Sequence, residues 1–323
     1  MMKNLKRFLA VGVALMAMVI MTGCGGNDSA VAHADDVKTI GFVTYNLNDT
    51  FLGFVLSAAQ EQAQENGIDL RVADARGDLL TQQDEVNALI QAGANGLIVI
   101  PVDTSGMGPI VTAATDAGIP LVFVNRNPFS GSEDEMPEGV YFVGSQEITA
   151  GIMQMEFIGE LLGGEGNVAI AMGTLGLENT FGRTQGVRQT IEEQFPNMSI
   201  LAEESANFQR EEGVALAENW ISSHGSDLHA IIANNDEMAL GALVAAQNNN
   251  REDILIVGID ATPNAIASVE EGGLAATVFQ DAVGQGSGAV DVLSEVFDGN
   301  APNEAVRWIA FQLVTSENVA DFS

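Results

Sequence analysis

Six polar clusters, each just beyond an apolar run, hold the side chains best suited to chemistry. They are residues 45–49, Asn125-Arg126, Arg183 after "MGTLGLENTF", Asn234-Asn235-Asp236, Asp260, and Gln280-Asp281. Asp49 and Asp260 offer carboxylate acceptors, and Arg126 and Arg183 offer guanidinium forks. Asn125, Asn235 and Gln280 add amides that both donate and accept. A polyhydroxylated ligand matches this mixture, because every hydroxyl is donor and acceptor at once. Phe51 and Phe208 supply flat faces for the aliphatic C–H side of a sugar ring.

Each residue taken singly has a plainer role open to it. Asn235 or Asp236 can cap a helix by accepting from its first-turn amides. Arg126 can pair with the acidic loop beside it, and Phe51 in a helical stripe can belong to the core. Asp260 can cap the helix that "TPNAI" begins, with Pro263 in its first turn. The joint pattern at successive strand ends favours a shared site.

Strands and helices alternate around these clusters from Lys38 onward. "TIGFVTY", "IDLRVAD", "GLIVIP", "IPLVFVN" and "VYFVG" read as strands, separated by helical segments such as "TFLGFVLSAAQEQAQENG", "TQQDEVNALIQAG" and "MGPIVTAATDAG". The Pro-, Gly- and acid-rich stretch 125–139 interrupts the pattern, which then resumes. The strands "NVAIAMG", "MSILAEES", "HAIIANN", "ILIVGID" and "AATVFQD" again alternate with helices, the last being "GSGAVDVLSEVFDG". Such alternation predicts an α/β protein with two Rossmann-like parallel-sheet lobes built from right-handed βαβ units. The almost wholly apolar strands fit sheets covered on both faces. Parallel sheets gather ligand groups at the carboxyl ends of their strands, where the polar clusters stand.

The first residues read as an export signal. Lys3, Lys6 and Arg7 precede the fourteen apolar residues "FLAVGVALMAMVIM", the layout of a secretory signal and short for a membrane span. Met21-Thr22-Gly23-Cys24 resembles the bacterial lipobox, which implies cleavage after residue 23 and lipidation of Cys24. Residues 24–37 read as a flexible tether. Cys24 is the single cysteine, so the chain has no disulfide framework and no thiolate metal cluster. Removing residues 1–23 leaves 9 basic against 44 acidic side chains, a net of −35, with Lys38 the one remaining lysine. That charge excludes nucleic acid and anionic lipid surfaces as partners, because both need a basic face. It also suits saline surroundings that screen self-repulsion.

Four segments, "GFVTYNLNDTFL", "IPLVFVNRNP", "ANNDEMALGA" and "VGIDATPNAIASVEEGGLAATVFQD", resemble the periplasmic sugar-binding proteins of the ribose- and galactose/glucose-binding type. Those proteins serve ABC importers and share a fold with the effector domains of lactose-repressor-like regulators. The resemblance runs from about Lys38 to the end of the chain. It implies the type I periplasmic-binding fold, two lobes joined by a three-strand hinge with a monosaccharide or cyclic polyol between them. The expected lobes are 38–144 plus 281–309 and 145–280 plus 310–323.

By motif position the resemblance makes Asp49 a hydroxyl-binding residue, Phe51 a ring-stacking residue, and Asn125 and Arg126 the polar pair after the fourth strand. Arg183, Phe208, Asn235 and Asp260 then face the ligand from the second lobe, with Gln280 at the returning hinge. Asp236 is expected to cap the following helix while Asn235 binds. The implied partners are an ABC permease and ATPase, or in the alternative a chemoreceptor or histidine kinase that senses the loaded protein.

Departures from the family pattern are specific. Leu177 and Asn179 stand where the galactose/glucose branch has a histidine and an aspartate, and Phe208 replaces its tryptophan. Gln280 looks like the ribose branch, whereas Asn125 differs from that branch's aspartate. "LLGGEGNVAI" has no run of calcium ligands, and no metal or cofactor is expected. No P-loop, HExxH or cysteine pair suggests an enzyme. The histidines, His33 in the tether and His224 and His229 before a strand, are expected at the surface. A repressor is excluded by the export signal and the lack of a basic helix-turn-helix.

Overall fold

The computed structural model describes residues 37–322. The signal, Cys24, His33 and all but the last residue of the tether therefore lie outside the described residues.

The chain alternates strand and helix almost throughout. The first sheet receives β1 (Thr39–Thr44), α1 (Thr50–Glu65), β2 (Asp69–Asp74), α2 (Leu79–Gln91), β3 (Gly96–Val99), α3 (Gly108–Ala117), β4 (Leu121–Val124) and β5 (Val140–Gly144). The second follows with α4 (Glu147–Leu161), β6 (Glu165–Met172), α5 (Glu178–Gln194), β7 (Asn197–Ser205), α6 (Arg210–His224), β8 (Ala230–Ala233), α7 (Asp236–Asn248), β9 (Leu255–Val257), α8 (Pro263–Glu270) and β10 (Thr277–Phe279). The chain then returns through α9 (Ala282–Phe297) and β11 (Val306–Trp308), and crosses again to β12 (Gln312–Val314).

Both sheets wind the same way. The first runs β2-β1-β3-β4-β5-β11, parallel at every pairing. The second runs β7-β6-β8-β9, also parallel, and single bridges Val257–Ala276 and Asp260–Phe279 carry it on to β10, which pairs antiparallel with β12. Order reverses between β1 and β3 in one sheet and between β6 and β8 in the other. Crevices at such reversals are where open α/β sheets receive ligands.

Apolar strands and covered faces go together as expected. β1, β3, β4, β5 and β8 are buried along their whole length. Each sheet carries one apolar cluster on either face. β2, an edge strand with the pattern "DLRVAD", is largely exposed. Edge position relieves a strand of half its packing, so polar residues are tolerated there.

Side-chain caps fix the starts of α1, α2, α7 and α9, while α3, α4, α5, α6 and α8 begin without one. Asp49, Asp78, Asn235 and Asp281 each accept a backbone N–H of the helix they precede. Asp281 therefore starts α9 at Ala282, four residues ahead of the "GSGAVDV" run that marks it in sequence. Asp236, expected to cap α7, does not: Asn235 takes the Met238 N–H at 3.0 Å instead. Asp236 is fully buried and accepts from Thr262 N, Thr262 Oγ1 and Thr277 Oγ1 at 2.7, 3.1 and 2.6 Å. Its carboxylate thus ties α7 to the start of α8 and to β10.

Glycine permits one decisive helix contact. α4 and α5 cross so closely that a Cβ on Gly186 would stand 2.2 Å from the Ile148 carbonyl oxygen. His224 and His229 are both half-buried, and His229 Nδ1 accepts the Asn167 N–H at 3.1 Å beside β6.

Candidate functional site

The strand ends of both sheets meet at one cavity. Asp49, Phe51, Asn125, Arg126, Arg183, Phe208, Asn235, Asp260 and Gln280 all line it, together with Leu52 and Asn179. Its volume is about 20 Å³, well below the roughly 300–1,000 Å³ of small-molecule pockets, so the lining side chains stand close together. A polar recess with Asn48, Gln209, Arg210 and Glu237 in its wall shares Asp49, Phe51, Phe208, Asn235 and Asp260 with the cavity. A larger groove, walled by Leu175, Phe181 and Pro128, contains none of the nine residues.

The first lobe contributes from the ends of β1 and β4. Asp49 caps α1 through Oδ1, which accepts the Leu52 N–H at 2.9 Å. Phe51, the second residue of that helix, is buried against the first sheet's core. Arg126 is among the largest fully buried side chains. Its Nη1 donates to the Pro101 carbonyl at 2.7 Å, and its guanidinium lies 4.2 Å from the centre of the Tyr45 ring. It does not pair with the acidic loop, where Glu133 instead accepts from Asn127 and from the Gly131 N–H. Arg126 Nε has no protein partner. Asn125 donates to Gln285 on α9 at 3.1 Å.

The second lobe presents Arg183 from α5. Three of its five N–H donors are committed: Nε to Glu147 Oε2 at 2.6 Å, Nη1 to the Asn234 carbonyl at 2.6 Å, and Nη2 to Gln280 Oε1 at 3.1 Å. One N–H remains on each terminal nitrogen. Asp260 Oδ1 stands 3.9 Å from Nη1. Asp260 does not cap α8, whose start has no side-chain cap. Gln280 is buried and its Nε2 has no protein partner. Asn235 combines its cap with a 3.4 Å donation to the Phe208 carbonyl.

Three of these residues have left-handed backbones without being glycine: Asn125 at φ 70°, Phe208 at 62° and Asp260 at 125°. Asn tolerates that region, but Phe and Asp at such angles cost about 1–3 kcal/mol each. The surrounding fold holds them there. A Cβ on Gly173 would fall 1.9 Å from the Phe208 ring, so that glycine makes room for the aromatic face.

Burial dominates the electrostatics. It raises the Asp49 carboxyl above the ordinary range, against the pull of the Leu52 amide and Arg126. Burial also raises Asp260 well above that range, with Arg183 opposing and Asp236, Asp49 and Glu147 adding to the rise. Arg126 is lowered by burial, and Asp49 partly restores it. Burial works against the charge on Arg183 as well, but Glu147 and Asp260 outweigh it and hold the guanidinium charged. Among the described residues no group of three or more His, Cys, Asp or Glu is arranged to hold a metal ion.

All nine sequence-derived residues thus converge. Asn179 completes the wall; its position before Arg183, where one branch of the family has an aspartate, was the available signal. Tyr45, which holds Arg126, belongs to the strand-end cluster 45–49, whereas Glu147, which holds Arg183, had no signal, since it looks like an ordinary residue in the first turn of a helix.

A family model described as a periplasmic binding protein domain matches residues 40–301. A candidate rhizopine-binding protein of Rhizobium meliloti is 37% identical over 98% of this chain and 99% of its own length. A xylitol-binding protein of Mycolicibacterium smegmatis is 33% identical over 90% of this chain and 78% of its own. Among solved structures, an ABC transporter solute-binding protein of Bacillus halodurans with bound myo-inositol superposes with a TM-score of 0.81 at 38% identity. That match covers 88% of this chain and 96% of the other.

Proposed function

The chain belongs to the periplasmic binding protein family, a family of extracytoplasmic solute-binding proteins and not of enzymes, and from that premise we propose that it binds one monosaccharide or cyclic polyol for an ABC importer. The convergence of nine polar and aromatic residues from both sheets on one cavity carries this reading. Arg183 keeps two N–H groups for ligand oxygens, and Arg126 Nε and Gln280 Nε2 add donors without protein partners. Asp49 and Asp260 accept from ligand hydroxyls, while Phe51 and Phe208 cover the ring. The bound myo-inositol of the Bacillus halodurans relative makes inositols the first probes.

Ligand groups divided between two lobes give closure a physical basis. A ligand shifts an open–closed equilibrium only through contacts that differ between the two states, and contacts from the second lobe supply that difference. Hinge closure around a ligand is well established for periplasmic binding proteins as a class. The proposed lobes are 38–144 plus 281–309 and 145–280 plus 310–323, supported by β11 lying in the first sheet and β12 pairing with β10. The closed form would dock on a permease driven by an ATPase, with the protein anchored through a lipid on Cys24.

A thermal-shift screen of the chain from residue 24 onward against pentoses, hexoses and inositols tests the proposal. A ligand at one hundred times its Kd adds about 2.7 kcal/mol to the folded state. One polyol is expected to raise the melting temperature. No shift with any of them refutes the proposal.

A further inference from the structure

We propose that Glu147 is a positioning residue for Arg183, setting the orientation of the ligand-facing fork and fastening it to the first crossing between the sheets. This rests on the reading of the cavity as a polyol site.

Glu147 does not line the cavity. It opens α4, three residues after β5 ends at Gly144, and so stands where the chain leaves the first sheet for the second. Its side chain is wholly buried, and Oε2 takes the Nε edge of Arg183 at 2.6 Å. Close packing keeps it there: a Cβ on Gly182 would lie 2.7 Å from the Glu147 Cβ, so α5 rests directly on this residue. The other end of the fork reaches Gln280, between β10 and α9, at the second crossing. One guanidinium therefore joins both crossings while it faces the cavity.

Charge gives Glu147 a second effect. Arg183 has two carboxylates within reach, Glu147 at 2.6 Å and Asp260 at 3.9 Å. With Glu147 on the Nε edge, the guanidinium is held back from Asp260, and both cavity groups stay available to ligand hydroxyls. Without Glu147, only the neutral Asn234 carbonyl and Gln280 amide oppose the attraction of Asp260. A direct Arg183–Asp260 pair would then form and occupy the groups that otherwise meet the ligand. A charged hydrogen bond of this kind is strong enough to set such an orientation.

The test titrates myo-inositol, or the polyol giving the largest thermal shift, into the wild type, Glu147→Gln, Arg183→Lys and the double variant. Glu147→Gln is expected to weaken binding about 10- to 100-fold, and the double variant to bind no more weakly than Arg183→Lys alone. Unchanged affinity in Glu147→Gln, or losses that add in full, overturns the proposal. Hydrogen exchange of the Arg183 Nε–H, followed by NMR without ligand, provides a separate measure. It is expected to be slow in the wild type and at least ~10-fold faster in Glu147→Ala, with circular dichroism confirming the fold. If Glu147→Ala does not fold, Glu147→Gln serves in its place. Equal exchange overturns the proposal. A wild type that binds no polyol overturns the ligand reading instead, and the exchange measurement then decides the role of Glu147 on its own.

Discussion

A Cβ on Gly151 would lie 1.9 Å from the carbonyl oxygen of Arg183. The helix that opens with Glu147 thus passes so close to α5 that a backbone atom of the site residue fills the space a side chain would need. Gly151→Ala cannot be absorbed by a rotamer change, because the obstacle is backbone. Its cost is expected at the upper end of about 1–3 kcal/mol, read from urea unfolding. Ligand affinity should fall as well, since separating α4 from α5 moves Arg183. Stability and affinity both matching the wild type would contradict the contact.

Truncation of either charged cavity residue has a defined expectation. Asp260→Ala strands the Arg183 fork on one side, and Arg183→Ala strands Glu147 and Asp260. Each is expected to weaken polyol binding by ~2–4 kcal/mol. Isothermal titration showing wild-type affinity in both variants would remove them from the ligand set.

Asn235 has two tasks that substitution can separate. Asn235→Ser retains a capping oxygen, so stability should change by no more than about 0.5 kcal/mol. The shorter side chain no longer reaches the cavity, and binding should weaken by about 1–2 kcal/mol. Asn235→Ala should lose about 1 kcal/mol of stability in addition. Equal stability of the serine and alanine variants would show that the cap contributes nothing.

Asp236 gives the pH dependence a sign. Burial raises its carboxyl to about 7, against the hydrogen bonds from Thr277 and Thr262, with Glu237 adding to the rise. A carboxyl whose folded value is raised stabilises the fold fully below its unfolded value, and that contribution is lost as pH climbs through about 7. Between pH 4 and 7.5 the wild type should lose stability relative to Asp236→Asn by on the order of 3–4 kcal/mol. Parallel stability curves for the two proteins across that range would refute this.

Cys24→Ser tests the anchor. The wild type is expected in the membrane fraction of a bacterial host and the variant in the soluble extracytoplasmic fraction, measured by immunoblot after fractionation. Identical distribution of the two would exclude a lipid on Cys24.

Strand ends were legible because they join two patterns, an apolar run and a polar stop, that few other positions in an α/β chain combine. That legibility placed Asp49, Asn125, Arg126, Asn235, Asp260 and Gln280 at one site, with Arg183 at a helix start and Phe51 and Phe208 as flat faces, and the family resemblance then gave each its role. Cap assignment was harder. Asn235 and Asp236 are adjacent and chemically similar, and the choice between them is settled by burial: Asp236 is drawn to the hydroxyls of Thr262 and Thr277, which lie 26 and 41 residues away. Glu147 was invisible for the same reason, since its partner lies on another helix. The left-handed backbones of Phe208 and Asp260 leave no mark in residue type at all. Strands β11 and β12, three residues each, are too short for periodicity to announce.

The last return of the chain has a consequence for biogenesis. α9 supplies Ala289, Val290, Val292 and Leu293 to the apolar layer beneath β1 and β4, and β11 closes the far edge of that sheet. The half that begins at Thr39 therefore lacks part of its interior until nearly the whole polypeptide has left the ribosome. A chain bound for export benefits from that delay, because a translocation channel passes an extended thread and rejects a finished globule.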